Sequence, residues 1–296
     1  MRFRASSNML EIPSCIPTVR RTHFPQMKTP FVLLSCLLFL NQADGAVYFL
    51  NFGNGGDPLN VPTTLQDQTN SPYHTESPSF AGTIWNNLTT QDVGSGILDA
   101  AGAASQLGID LGIAPSTGST NINLGSQPTG HAGVTGTAFS SNIYANNSVG
   151  RYAIYSNTTA NNATSNRIAL GVQISGLAAG TYDIYTLTRN TNTSGSQTFQ
   201  IHLGTSASAG NFDFSTYSSE SISMGGGANT AWVDGTNYLK QTITIAEGEF
   251  LNVAVDGTSG QTRGFLSAIQ IVQVPEPASL LMAGMAGAFA LRRRRK

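Results

Sequence analysis

The chain has 296 residues, 40% of them hydrophobic and only 10% charged, a balance that excludes a disordered chain. It has 32 Gly, many Ser, Thr and Asn, and very few Lys, which excludes a coiled coil or helical bundle and favours strands joined by turns. The formal net charge of −1 conceals a segregation: between Val47 and Val274 five basic residues face thirteen acidic ones, a net of −8, and such a body is a poor partner for nucleic acid.

Residues 1–26 contain Glu11, Pro13, Pro17 and Pro25 and show no periodicity, so they are expected to be an extension or a start assigned too early, with Met27-Lys28 the more natural beginning. Arg20-Arg21 fits a twin-arginine export pattern only loosely. Phe31 to Leu40 is an apolar run preceded by Lys28 and followed by Ala43, Gly45 and Ala46. Basic start, short apolar core and small-residue exit are the layout of a secretory signal, expected over 27–45 with a cut after Gly45 or Ala46. The run is too short to span a bilayer, which needs about 20 apolar residues. Both cysteines, Cys15 and Cys36, precede the body, so it must hold together without disulfides or thiolate metal sites.

The body, 46–273, reads as short strands between polar turns. Early candidates are Val47 to Phe52, Thr83 to Trp85, Leu107 to Leu111 and Arg151 to Tyr155. Ile168, Leu170, Val172 and Ile174 alternate with Ala169, Gly171 and Gln173, a period of two with one apolar face. Thr181 to Arg189 follows, then Phe199, Ile201 and Leu203 alternating with Gln200 and His202. Ile243 and Ile245 lead through a turn at Glu247-Gly248-Glu249 into Leu251, Val253 and Val255; Asp256-Gly257 is expected to turn the chain, and Phe265 to Val272 is the last strand. About ten strands without helical periods or internal repeats predict an all-β, two-sheet antiparallel sandwich of jelly-roll type in a single domain.

At the C-terminus, Pro275-Glu276-Pro277 ends the last strand, because proline fixes φ and lacks an N–H. An apolar segment from Ala278 to Leu291 follows, then Arg292, Arg293, Arg294, Arg295 and Lys296. As a helix the segment would reach about 21 Å, short of the ~30 Å hydrocarbon core, so it is a marginal anchor with its basic end held in the cytoplasm. The tripartite tail 274–296 resembles the PEP-CTERM sorting signal of Gram-negative bacteria. That resemblance implies processing by exosortase near the Pro-Glu-Pro, Sec-type export, a transient inner-membrane anchor and a cell-surface or extracellular destination. It also implies a link to exopolysaccharide and biofilm matrix. Asn51-Phe52-Gly53, Gly82 to Leu88, Leu98 to Gly102 and Gly264 to Ile271 resemble, diffusely, galactose-binding-like and malectin-like jelly rolls.

The body shows little chemistry. His74, His131 and His202 lack metal-site spacing, and His202, alternating with core residues, is expected on a solvent-facing side. Gly94-Ser95-Gly96 lacks the spacing of a serine-hydrolase elbow, and Met224-Gly225-Gly226-Gly227 carries no Lys-Ser/Thr for phosphate. Glu247 and Glu249 flank a turn and read as solvated charges rather than a glycosidase pair. Asp234 to Asn237 and Asp256 to Ser259 offer oxygen ligands of the calcium type without the twelve-residue loop, so no cofactor is expected, a structural calcium ion being the alternative. For a sugar, Trp85, Trp232, Tyr73, Tyr144 and Tyr217 are candidate platforms and Arg151, Arg189 and Arg263 candidate donors. Trp85 sits in an apolar stretch and belongs to the core, whereas Trp232 lies between polar residues and is the better loop candidate. The Asn-x-Ser/Thr triplets of 157–166 and 190–197 read as exposed loops. The expectation is a non-enzymatic exported surface or matrix protein whose body binds polysaccharide. The alternatives are a glycan-active hydrolase or lyase, and a purely structural matrix component.

Overall fold

A computed structural model describes residues 45–53, 68–133, 142–144, 148–156, 168–190, 195–224, 229–259 and 263–275. The apolar run 31–40, the tail from Glu276 to Lys296 and Gly225 to Gly227 lie outside these residues. Among the described residues no helix is long and apolar enough to cross a membrane.

The body is an all-β jelly-roll-type sandwich. One five-stranded sheet has the order β12 (Leu239–Ile245), β8 (Gly180–Leu187), β15 (Ala268–Gln273), β1 (Val47–Phe52), β2 (Asn86–Leu88). The other runs β11 (Ser218–Met224), β9 (Gln197–Ser206), β13 (Phe250–Ser259), β7 (Leu170–Ser175), β3 (Gly108–Ile113). Every ladder is antiparallel except β1 with β2, where Leu50 pairs with Asn86 and Phe52 with Leu88. A small sheet of β14 (Phe265–Leu266), β6 (Tyr152–Tyr155) and β5 (Gly130–Gly133) adds to these.

Alternation decides what faces inward. Leu50, Phe52, Ile184, Ile269 and Ile271 from the first sheet join Leu111, Val172, Ile174, Ile201, Val253 and Val255 from the second in one buried cluster. The opposite faces are covered too. On the first sheet Phe49, Tyr185, Leu187 and Val272 join Trp85, Tyr144, Trp232 and Tyr238 in a second buried cluster. Part of its cover is the short helix α1 (Pro72–Glu76), capped by Ser71, whose side chain accepts from the His74 amide. On the second sheet a ribbon of β4 (Asn121–Ile122) and β10 (Phe212–Asp213) lies against β7. Consequently Ala169, Gly171 and Gln173, which alternate with the apolar face of this strand, are buried too.

Other expectations shift for local reasons. Thr83 to Trp85 is not a strand; pairing begins at Asn86, whose amide nitrogen bonds Phe49 O (3.1 Å) and Leu98 O (2.8 Å) and pins the chain beside β1. Asp256-Gly257 does not turn the chain: β13 continues to Ser259 with an irregularity between Gly257 and Ser259. The last strand divides at Ser267, whose amide donates to Leu187 O (2.8 Å), so Phe265–Leu266 pairs with β6 while Ala268–Gln273 enters the first sheet. Glu247-Gly248-Glu249 is the expected turn, with Gly248 at φ +79° and Ala246 N donating to Glu249 Oε2 (2.9 Å).

Candidate functional site

Beside the edge strand β2 the chain leaves a groove of about 470 Å³. Its apolar lining comes from Ile84, Trp85, Leu88, Val93 and Ile97, and its polar lining from Gln68, Thr83, Asn86 and Asn87. No charged side chain lines it. Trp85 is held from behind: it stacks on Phe49 with centroids 4.7 Å apart and its Nε1 donates to Gln68 O (3.0 Å). It is a core residue, as its sequence context implies. Ile84 is 37% exposed, one of the few exposed large hydrophobic side chains among the described residues. The Asn86 side chain is spent on the backbone of Phe49 and Leu98. Asn87 Oδ1 accepts from Asn51 Nδ2 (2.9 Å), and Asn87 Nδ2 is buried without a protein partner. A buried donor without a partner costs about 1–3 kcal/mol, while the half-buried side chains of Gln68 and Thr83 add further polar groups to the lining.

The other sequence candidates are used by the fold. Trp232 is only 7% exposed; its ring meets Tyr144 edge-on at 5.6 Å and its Nε1 donates to Asn70 Oδ1 (2.9 Å). The stacking platform expected of that loop is therefore covered. Tyr144 is buried, with Arg189, itself fully buried, 5.0 Å above its ring. Tyr73 packs against Phe49, Phe80 and Tyr185, and Tyr217 lies flat against Phe212 while its hydroxyl accepts from Asn252 Nδ2 (2.8 Å). Arg263 stands 5.3 Å over Tyr155, and Arg151 Nη1 bonds Tyr144 O (3.2 Å). Asp234 Oδ1 accepts from the amides of Gly235 and Lys240, both at 2.9 Å, and Asn237 Oδ1 from Val233 N (2.9 Å), so these oxygens close a turn. Among the described residues no three or more His, Cys, Asp and Glu side chains group as metal ligands.

His74 is buried and paired with Ser71, Oγ to Nδ1 at 2.7 Å, which superficially suggests a nucleophile and its base. The network argues otherwise. His74 Nε2 faces the Gly82 carbonyl at 2.9 Å and must donate to it, leaving Nδ1 to accept the Ser71 hydroxyl proton. Ser71 Oγ also accepts from Gln270 Nε2 (2.9 Å), and Ser71 is wholly buried. The pair fastens α1 to β15. At the other end of α1, Glu76 accepts from Tyr185 (2.8 Å), Tyr238 (3.0 Å) and Lys240 (2.7 Å), and Lys240 also meets Asp183 at 3.2 Å. Burial alone would raise the Glu76 carboxyl, but the bonds from Lys240 and the two tyrosines outweigh it and hold it below its ordinary range. His202 is half-buried beneath Phe214, 4.6 Å between centroids, and desolvation lowers its pKa; the solvent-facing side expected for it is partly roofed.

The third feature is where the chain leaves the body. Gln273 N donates to Ala46 O (2.9 Å) and Val274 N to Thr181 O (2.8 Å), and Pro275 stands exposed directly after. The tail thus departs from an interior strand of the first sheet, beside the start of β1.

A jelly-roll body whose last core strand runs straight into a Pro-Glu-Pro, an apolar stretch and a basic end has the layout of an exported surface protein. Residues 273–296 match the PEP-CTERM protein-sorting motif, so the chain carries that sorting signal, and exosortase is the processing partner it implies. No curated protein matches the chain. Among solved structures, the chain is similar to protein YXIM from Bacillus subtilis, at 13% identity and a TM-score of 0.32, over 77% of this chain and 40% of that one. It is also similar to TmCBM61, solved in complex with beta-1,4-galactotriose, at 15% identity and a TM-score of 0.29, over 55% of this chain and 88% of that one. The chain therefore spans less than half the length of the first of these.

Proposed function

We propose that this is a non-enzymatic surface or matrix protein whose body binds a neutral saccharide in the groove beside β2. The observation that carries the reading is the lining of that groove: apolar side chains beside the amides of Gln68, Asn86 and Asn87 and the Thr83 hydroxyl, with no charge. A pyranose presents an apolar face and a ring of hydroxyls, and it is bound where apolar contact and a few fixed polar groups converge. An anionic polymer would meet no cation there.

The tail supplies the address. In this reading Ala278 to Leu291 holds the precursor briefly in the inner membrane after Sec-type export, and Arg292 to Lys296 resist transfer because charges in the bilayer core are costly. Exosortase then cuts near Pro275-Glu276-Pro277.

The test is a glycan array probed with the exported mature protein, paired with a reducing-sugar release assay. The expected outcome is binding to neutral glycans, no release, and loss of binding in Ile84→Asp, which changes an exposed side chain and spares the core. Release of reducing ends, or binding untouched by Ile84→Asp, overturns the reading.

A further inference from the structure

Under the cover of the first sheet, His74 is enclosed by the rings of Phe49, Tyr73 and Phe80, with centroids 5.2, 6.4 and 5.7 Å away, and only 5% of it is exposed. Its hydrogen bonds admit one protonation state. Ser71 Oγ has two lone pairs, and both are filled: by Gln270 Nε2 (2.9 Å) and by the His74 amide (3.4 Å), the bond that caps α1. The hydroxyl can therefore only donate to Nδ1, 2.7 Å away, so Nδ1 must be bare and the ring proton must sit on Nε2, facing Gly82 O. One hydroxyl thus joins three attachments: the cap of α1, the stitch to β15 and, through the ring, the chain at Gly82.

We propose that this junction is an acid-sensitive latch: proton uptake by the His74 ring unseats α1, and the chain that follows it as far as Trp85, from the first sheet. A second ring proton turns Nδ1 into a donor aimed at an oxygen that already accepts twice. The Ser71 hydroxyl proton then loses its acceptor, and the new charge is held away from water. Relief requires His74 to leave, and its departure frees Gly82 and the cap together. The neighbouring charges are set by other contacts. At the far end of α1 burial opposes both charges of the Glu76–Lys240 pair, but Lys240 holds Glu76 below its ordinary range and Glu76 holds Lys240 above its own. Burial raises Tyr185, which packs on Tyr73. On the turn against Gly82, Asp99 caps the amides of Ala101 (3.0 Å) and Ala103 (2.8 Å). β1 and β15 present the uncharged Phe49 and Gln270. The histidine is thus the group that changes charge as the medium falls from about pH 7 to about pH 5, since an ordinary histidine titrates near 6.5 and an ordinary carboxylate near 4. Gly82 leads into Thr83 and Trp85, which line the groove, so release also slackens one of its walls. That consequence rests on the saccharide reading; the latch does not.

The experiment is hydrogen exchange on the exported mature protein, read by mass spectrometry near pH 7 and near pH 5 and corrected for the intrinsic pH dependence of exchange. The open segment binds a proton that the closed one does not, so opening gains as pH falls. Residues 71–85 should open about tenfold more at the lower pH, while residues 250–256 of the core strand β13 keep their protection. His74→Gln keeps a donor for Gly82 O but cannot titrate in this range, and should open equally at both. Exchange of 71–85 indifferent to pH in the parent, or a pH dependence that survives in His74→Gln, overturns the proposal. If that variant fails to fold, the ring nitrogen chemical shifts of the parent decide. Near pH 7 the proton should be on Nε2, and charging of the ring should coincide with loss of protection over 71–85. A proton on Nδ1, or a charged ring under a protected segment, sinks the latch. None of these outcomes involves a saccharide, so the latch and the groove stand or fall separately.

Discussion

The two five-stranded sheets bury their outer faces with different materials. The first sheet is covered by rings: Phe49 stacks on Trp85 and meets Tyr73, His74 and Phe80 within 6.2 Å. The second is covered by large side chains lying on glycines. Ile122 and Phe212 occupy the space a Cβ at Gly171 would need, with Ile122 Cγ1 at 2.6 Å, and Tyr217 lies over Gly204. Each cover is stitched down by one buried glutamine. Gln270 on β15 accepts from Tyr73 N (3.1 Å) and donates to Ser71 Oγ; Gln173 on β7 bonds Asn252 Oδ1 (3.0 Å) and accepts from Gly210 N (3.0 Å). The outer face of a sheet can thus be sealed by adding aromatic volume above it or by removing side-chain volume within it.

The sharpest way to break the comparison is to empty one cover and overfill the other. Phe49→Ala removes the ring on which the first cover is assembled and should cost about 4 kcal/mol, read as the shift in a urea midpoint. Gly171→Val forces side-chain volume into Ile122 and Phe212 and should cost about 2–3 kcal/mol by the same measurement, the ribbon yielding before the sheet. If Phe49→Ala is the milder change, the rings are decoration and the glycine-seated ribbon is the true structural cover. The two glutamines sharpen the comparison: Gln270→Leu and Gln173→Leu each strand buried backbone or side-chain groups, and each should cost about 2 kcal/mol if the stitches are equivalent.

The smallest expected effect separates the covers by pH. Glu76 belongs to the first cover alone, and its folded pKa lies below its unfolded value. A carboxyl lowered by folding contributes stability above its unfolded pKa, and that contribution is lost as pH falls through the folded one. Glu76→Gln should therefore reduce stability at pH 7 and converge on the parent as the pH drops below about 4, since an unperturbed glutamate titrates near 4.3. Thermal melts of both proteins from pH 7 to 3 check this; parallel curves would show that Lys240, Tyr185 and Tyr238 do not act through the charge.

The interior of the sandwich was legible because it obeys period two: Leu251, Val253 and Val255 announce β13, and Val47 to Phe52 is β1 to the residue. The covers were not, for physical reasons. Ser218–Met224 is an edge strand exposed over its first half, so it has no apolar alternation to read. The helix at Pro72–Glu76 is too short for a helical period, although Ser71-Pro72 is a start signal. Trp232 sits among polar neighbours in sequence yet is buried by Tyr144 and Asn70, which come from elsewhere in the chain. The groove escaped notice because its lining is gathered from coil on both sides of a three-residue strand. Of its lining, Trp85 alone is a sugar-platform candidate in the sequence, and it is core. The tail, by contrast, is a linear signal that needs no partner to be recognised.

The interior position of β15 has a mechanical consequence. The tail leaves its C-terminal end, beside the start of β1, whereas the groove adjoins β2, which pairs with the far half of β1. A load drawn between the tail and a molecule held in the groove therefore runs along β15 and β1 rather than across them. Antiparallel ladder bonds lie perpendicular to their strands, so such a load strains the bonds to Tyr48, Leu50, Ile184 and their neighbours together, in shear, instead of opening them one after another. Single-molecule pulling from Pro275 against a handle at Thr90, beyond the far end of β2, should give a higher rupture force than pulling from Pro275 against a handle at Thr181, where the load crosses the ladder and can unzip it.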